Sequence, residues 1–192
     1  MATPHPDFAQ LAARCVDLAK GAPKPCTSLG FRFAALKYGG SKDLLSGQGA
    51  RTSGGRINAI GAFPVIYTST DPGTATAETF RNFAAFGFEK SKVRPRVFVG
   101  VEIKLAAVLD LSDRRIRRRL KLNLKDLAQP WLPEQEAGRE ALTQAIGRAA
   151  YEAGYEAVML PSACRKGGIN LNVCGGAFKR GQIVCDQTWT VI

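Results

Sequence analysis

Between Val93 and Leu105 the chain reads VRPRVFVGVEIKL. Val97, Val99 and Val101 occupy alternate positions, which puts them on one face of a long extended strand. Such a strand is stable only within a sheet whose apolar face is covered by a further layer. Val108 to Leu111 continues this strand or starts another. Shorter strands are expected at Phe31 to Leu36, Phe63 to Tyr67, Glu156 to Pro161 and Ile169 to Val173, with a last one within Gln182 to Ile192. Helical spacing of Phe8, Leu11, Ala12 and Cys15 marks a helix over residues 8–20, ended by Gly21, Pro23 and Pro25. Thr70 or Asp71 caps a second helix, with Pro72 at its first position and an end near Phe86. Asp113 to Lys121 forms a basic helix. Gly138 to Ala153 forms another, with Leu142, Ala145, Ile146, Ala149 and Ala153 as its apolar stripe and Gly154 at its close. Strands and helices mix irregularly, without internal repeats, so the fold class is α+β rather than a wound α/β sheet.

The chain has 192 residues, 45% of them apolar, which suits one domain with a substantial core. Lys and Arg total 27 against 16 Asp and Glu, a formal charge of +11. Part of the excess is concentrated in RRIRRRLK, residues 114–121. That surplus favours an anionic ligand, nucleic acid or an acidic protein. Five cysteines in no zinc-ligand pattern, without a signal peptide or an apolar run of about 18 residues, point to the reducing cytosol and to no membrane span. The single histidine, His5, lies in a Pro-flanked N-terminal segment expected to be loose. This argues against a Ser-His-Asp triad or a histidine metal site, and no metal is expected.

The stretch LSGQGARTSGGRINAIGAFPVIYTSTDPGTATAETF, residues 45–80, begins like a flexible loop and ends as a helix. Gly54 and Gly55 permit positive φ and close approach to a ligand, and Arg56 after them offers a fork of donors for phosphate or carboxylate. The plain alternative is a glycine-rich hairpin with a solvated arginine. Neither a Walker pattern nor a dinucleotide fingerprint is present. Tyr67 ends an apolar strand, where half-buried core is the ordinary role. Glu78 lies opposite Phe80, in line with Ala75, Asn82 and Ala85; it is a ligand-facing carboxylate or an ordinary exposed one. Ser162 follows Pro161 at a strand end. Arg32 interrupts FRFAAL and must face solvent, a partner or an anion. Asn170 and Asn172 share one strand face and are taken as structural.

In this order, Arg32, GARTSGGRIN, a strand ending in YTS, a helix with Ala77-Glu78, LPSA and a strand with NLN, the chain resembles the RES-domain family over roughly Phe31 to Val173. The resemblance implies a domain over residues 29–192, with 1–28 as a helical extension. It also implies a fold similar to ADP-ribosyltransferases, with a central antiparallel β core and flanking helices. Family members are NAD+-consuming toxins paired with Xre-like antitoxins. Arg32 and Arg56 then match the family's arginines, for the pyrophosphate. Glu78 matches its glutamate beside the reacting ribose, Tyr67 its tyrosine at the nicotinamide, and Ser162 its serine, a hydrogen-bonding group for ribose or the nicotinamide amide. Glu78, Arg56 and Ser162 are the implied catalytic set; Arg32, Arg56, Tyr67 and Ser162 are the implied NAD+ contacts. The family often has Tyr where this chain has Phe33 and Trp where it has Ile57, so a hydroxyl and an aromatic shelf are expected to be missing. The implied reaction is cleavage of the nicotinamide–ribose bond, with phosphate or water as acceptor. A protein ADP-ribosyltransferase using the same site is the alternative. A nucleic-acid-binding module centred on the basic helix is the second, although few aromatics interleave those arginines.

Overall fold

A computed structural model describes residues 2–21, 23–38, 40, 44–85, 96–175 and 183–189. Its elements are α1 (Phe8–Lys20), β1 (Lys24–Ala35), α2 (Gln48–Ser53), β2 (Val65–Ser69), α3 (Pro72–Ala85), β3 (Arg96–Asp110), α4 (Arg114–Leu120), α5 (Leu124–Ala128), α6 (Leu132–Glu136), α7 (Leu142–Glu152), β4 (Ala157–Pro161), β5 (Ile169–Cys174) and β6 (Ile183–Trp189). A 3₁₀ turn at Leu36–Tyr38 follows β1. Phe86, Val93 and Gln182, which the sequence places at element ends, lie outside the described residues, as do the side chains of Asn82, Phe83, Ala84, Ala85 and Cys185.

The long strand forms as its alternation requires: Val97, Val99, Val101 and Ile103 are all buried. Among the described residues the sheet has six strands in the order β1-β2-β5-β4-β3-β6, and β3 also pairs with β1. The pairings β1–β2–β5–β4–β3–β1 therefore close a circuit, with β6 added along β3. The circuit is closed narrowly between β1 and β2, which pair at Phe31 and Ser69. The core is mixed and not wholly antiparallel as expected: Val108, Leu109 and Asp110 of β3 run parallel to Ala157, Val158 and Met159 of β4. The reason lies in the connection. α4 to α7 all intervene between β3 and β4, and a crossover of that length is what a parallel pair requires.

One face of the strands packs a cluster that includes Ile66, Val99, Val101, Ile103, Leu171 and Val173. The other carries Val65, Leu109, Val158, Leu160 and Cys174 against Leu11, Cys15 and Leu18 of α1 and Ala145, Ile146 and Ala149 of α7. Both helices bury the apolar stripes that their spacing predicts. Among the described residues no helix is long and apolar enough to cross a membrane.

Several boundaries differ from the sequence expectations. β1 begins at Lys24, well before Phe31, because its whole length is paired with β3. β2 is displaced to Val65–Ser69 by its register with β5. The loop before it contains α2, where only flexible chain was expected. α7 starts at Leu142 rather than Gly138, because Thr3 bridges to Arg139 and accepts from Glu140 N at 2.8 Å. His5 is correspondingly not loose. Its N–H donates to Glu140 Oε2 at 3.0 Å, and Arg148 Nε and Nη2 each reach that buried carboxylate at 2.7 Å.

α7 fits closely under the loop of Arg56, Ile57 and Asn58. A side chain at Gly147 would collide with the Ile57 carbonyl oxygen and Cβ. Gly147→Ala is expected to destabilise the fold by about 1–3 kcal/mol, the range for overpacking a core. A thermal melt checks it, and an unchanged melting temperature contradicts the close approach.

Candidate functional site

The site lies where one strand face changes character along its length. Val65 pairs with Cys174, Tyr67 with Asn172 and Ser69 with Asn170. These six residues share a face, because side chains alternate along each strand. Its Val65–Cys174 end belongs to the core, and its other end is polar. α3 packs against β1 and β2, and its N-terminus is capped by Asp71, whose carboxylate accepts from Thr74 N at 2.9 Å. The cap and Pro72 fix where the helix begins, and hence which residues point inward. Ala75, Glu78 and Thr79 do so.

A cleft of about 310 Å³ results, lined among others by Arg32, Arg56, Tyr67, Glu78, Asn170 and Asn172. Four of the five residues singled out from the sequence therefore converge on it. Ser162 does not line the cleft; it stands behind Glu78 and donates to Oε1 at 2.7 Å. Its Oγ accepts from Cys164 N at 3.0 Å and Arg165 N at 3.1 Å. Both hydroxyl lone pairs are thus engaged by the turn, and the one proton is left for Glu78.

Asn170 completes the arrangement. Its Oδ1 accepts from Ser69 Oγ at 2.8 Å, which leaves the amide nitrogen to donate to Glu78 Oε1 at 2.6 Å. Cys164 Sγ lies 2.8 Å from Oε2. Among the described residues Glu78 forms no ion pair and is held by neutral donors. Each hydrogen bond to a charged group contributes about 1.5–3 kcal/mol. Burial, and then the hydrogen bond to Glu78, push the Cys164 thiol up to about 11.

Tyr67 is fixed with equal definition. Its hydroxyl accepts from Ile57 N at 2.9 Å and donates to Asn58 Oδ1 at 2.7 Å. Asn58 Nδ2 in turn donates to Ala50 O and Phe63 O, closing the loop upon itself. Burial is the main cause that pushes the Tyr67 hydroxyl well above its ordinary pKa, so it stays protonated. Gly54 has φ +73°, as its position in the turn suggests. The close approach at Gly55, however, is to Tyr67: a side chain there would strike the phenol.

Arg56 donates from Nη2 to Leu127 O, while its buried Nε has no hydrogen-bond partner among the described residues. Burial lowers its pKa, and the negative charge of Glu78 offsets part of that shift. Arg32 Nη1 donates to Leu44 O at 2.7 Å. Arg96 also lines the cleft, as do Phe31, Phe33 and Trp131. Sequence reasoning missed Arg96, Trp131 and the Asn170 contact. The NLN alternation was the available signal for Asn170, since two polar residues on one face of a buried strand need partners. Ile57 is 1% exposed and belongs to the core.

The basic helix stands apart from this site. Arg115 pairs with Asp113 at 3.0 Å and Arg119 with Asp17 at 2.8 Å, and Arg117 donates to the carbonyls of Leu111 and Ser112. Among the described residues no three His, Cys, Asp or Glu side chains gather as a metal site.

The family described as RES domain matches residues 30–192. NAD(+) phosphorylase MbcT of Mycobacterium bovis is 30% identical over 138 residues, spanning 70% of this chain and 68% of that protein. MbcT of Mycobacterium tuberculosis matches to the same extent in two strains. Among solved structures, the crystal structure of the M. tuberculosis MbcT–MbcA toxin–antitoxin complex matches with a TM-score of 0.73 and 25% identity, over 94% of this chain and 91% of that one. With a family match across most of its length and relatives of this similarity, the chain belongs to the RES domain family.

Proposed function

We propose that this chain is a toxin that cleaves the nicotinamide–ribose bond of NAD+, with inorganic phosphate as acceptor. The observation that carries the reading is the Glu78 carboxylate, held by neutral donors at a cleft that also receives Arg32, Arg56 and Arg96. The name of the MbcT relatives, NAD(+) phosphorylase, supports it. In this reading the RES domain occupies residues 29–192, residues 1–28 are its extension, and the fold is of the ADP-ribosyltransferase-like kind.

The chemistry follows from charge. As the C–N bond to nicotinamide breaks, its electron pair leaves with the nitrogen and positive charge develops on the ribose, as in glycoside hydrolysis. Nicotinamide departs neutral, so no strong general acid is required. A carboxylate already oriented by hydrogen bonds stabilises that charge without reorganising at the moment of reaction. Neutral donors orient Glu78 while leaving it anionic, whereas an ion-paired carboxylate would already be neutralised by its partner. A phosphate oxygen then forms the new bond to the same ribose carbon, giving ADP-ribose-1″-phosphate. Arg32 and Arg56 bind the pyrophosphate. Arg96 adds a third guanidinium to the cleft, which suits a second anion better than it suits water. Tyr67 bounds the nicotinamide end, and Ser162 acts through Glu78.

A toxin of this kind requires restraint. The relative's crystal structure is of a toxin–antitoxin complex, and we assign this chain an Xre-like antitoxin that covers the cleft. Direct contact with nucleic acid is not part of the reading: Arg115, Arg117 and Arg119 of the basic helix are already engaged. The site of action is the cytoplasm, where NAD+ and phosphate are both abundant.

Turnover of NAD+ by the purified chain, with and without phosphate, tests the reaction by mass spectrometry. The expected product is ADP-ribose-1″-phosphate, formed only with phosphate. ADP-ribose alone would make the acceptor water, and label on a protein would make the chain an ADP-ribosyltransferase. Glu78→Gln is expected to reduce kcat by about 100-fold or more, the scale of losing a charge-stabilising group. Intact NAD+ with folded wild-type protein overturns the reading. Tyr67→Phe separates binding from support: loss of its two hydrogen bonds should lower stability by about 1–3 kcal/mol. A thermal melt reads this, and a stability equal to wild type contradicts the supporting role.

A further inference from the structure

We propose that Cys164 is a positioning residue for this reaction, donating its thiol proton to Glu78 Oε2 and fixing the plane of the carboxylate. The inference rests on the assignment of Glu78 above. Ser162 and Asn170 both bind Oε1. Rotation about the last side-chain bond, which has a broad torsional well, swings both oxygens, and donors on Oε1 alone limit it only as far as their own bonds resist bending. A donor on the second oxygen removes that freedom, and Cys164 Sγ at 2.8 Å is the donor observed there.

The local chain holds the thiol in place. Ser162 Oγ accepts from Cys164 N, so the turn that orients the serine hydroxyl also sets the cysteine. Arg81 Nη1 donates to Ala163 O and lies 3.7 Å from Cys164 Sγ. A cation on that side of the sulfur directs its own hydrogens toward the lone pairs, leaving the S–H to point at the carboxylate. Burial and the neighbouring Glu78 keep the thiol protonated up to about pH 11. The group is therefore a donor at neutral pH, and not a thiolate nucleophile with Glu78 as its base. Cys164 does not line the cleft, so its effect on substrate passes through Glu78.

Infrared spectra and NAD+ kinetics on wild type, Cys164→Ala, Cys164→Ser and Glu78→Ala test the proposal. The S–H stretch lost in Cys164→Ala should lie below that of a free thiol in wild type and should move up in Glu78→Ala. Cys164→Ala should lower kcat by about ten- to 150-fold with KM within about twofold, the loss expected for one hydrogen bond to a charged group. Cys164→Ser retains a donor and should recover most of that loss. An S–H band indifferent to Glu78→Ala overturns the proposal. So does a serine variant as impaired as alanine, since the sulfur would then matter for packing. An active wild type with unchanged kcat in Cys164→Ala removes the positioning role alone. A wild type that leaves NAD+ intact removes the reaction, and the role with it.

Discussion

The pairing of β2 with β5 is the constraint on which the site depends. Its register sets Tyr67 opposite Asn172 and Ser69 opposite Asn170, and in the same stroke sets Ile66, Leu171 and Val173 into the core. A slip of one residue would exchange the two faces, burying Tyr67 and the asparagines among valines and turning the apolar residues outward. The register that satisfies the core is thus the one that builds the floor of the cleft. Glu78 comes from a different element, yet Asn170 ties it to that floor, and Asp71 fixes the start of its helix.

The polar groups around the cleft also illustrate how hydrogen-bond capacity determines direction. Ser162 has one proton and two accepting positions, and the backbone of its own turn takes both of the latter. Asn170 is oriented by Ser69, and Tyr67 by Ile57 N and Asn58. Few of these groups retain rotational choice. Low local dielectric makes such a network costly if one member is missing, so it specifies a single arrangement when complete. For a reaction that develops positive charge, a fixed anion on rigid elements is more useful than a mobile one paired with a cation.

Much of this was legible in the sequence, and for identifiable reasons. The alternating valines predicted β3, and helical spacing predicted α1 and α7, because burial imposes those periods. Glycine pairs, strand ends and a polar residue on an apolar pattern marked Arg32, Arg56, Tyr67 and Glu78 only as candidates with ordinary structural alternatives, and it was the order of these motifs, through its resemblance to the RES-domain family, that singled them out as site residues. The parallel β3–β4 pairing was not legible, since direction depends on a long crossover. Nor was the placement of Ser162, as a hydroxyl at a strand end has no sequence mark that distinguishes a substrate contact from support of another side chain. His5 carried no signal either; its docking depends on Glu140 and Arg148, far away in the chain.

The two departures from the family pattern take on different meanings in three dimensions. Ile57 lies in the core beneath α7, at the point where Gly147 makes room for its backbone, so it does not remove an aromatic surface from the cleft. Trp131, between α5 and α6, is an aromatic that does line the cleft, and the carbonyl of Leu127 in the same segment receives Arg56. Phe33 lies in the cleft lining against Phe98, with ring centroids 4.8 Å apart. Its missing hydroxyl is a real chemical difference at that position, whereas the tilted ring contact with Phe98 does not need it. Of the two substitutions, then, Phe33 is the one whose chemistry a bound dinucleotide would meet, and Ile57 acts on the site only through the loop that carries Arg56 and Asn58.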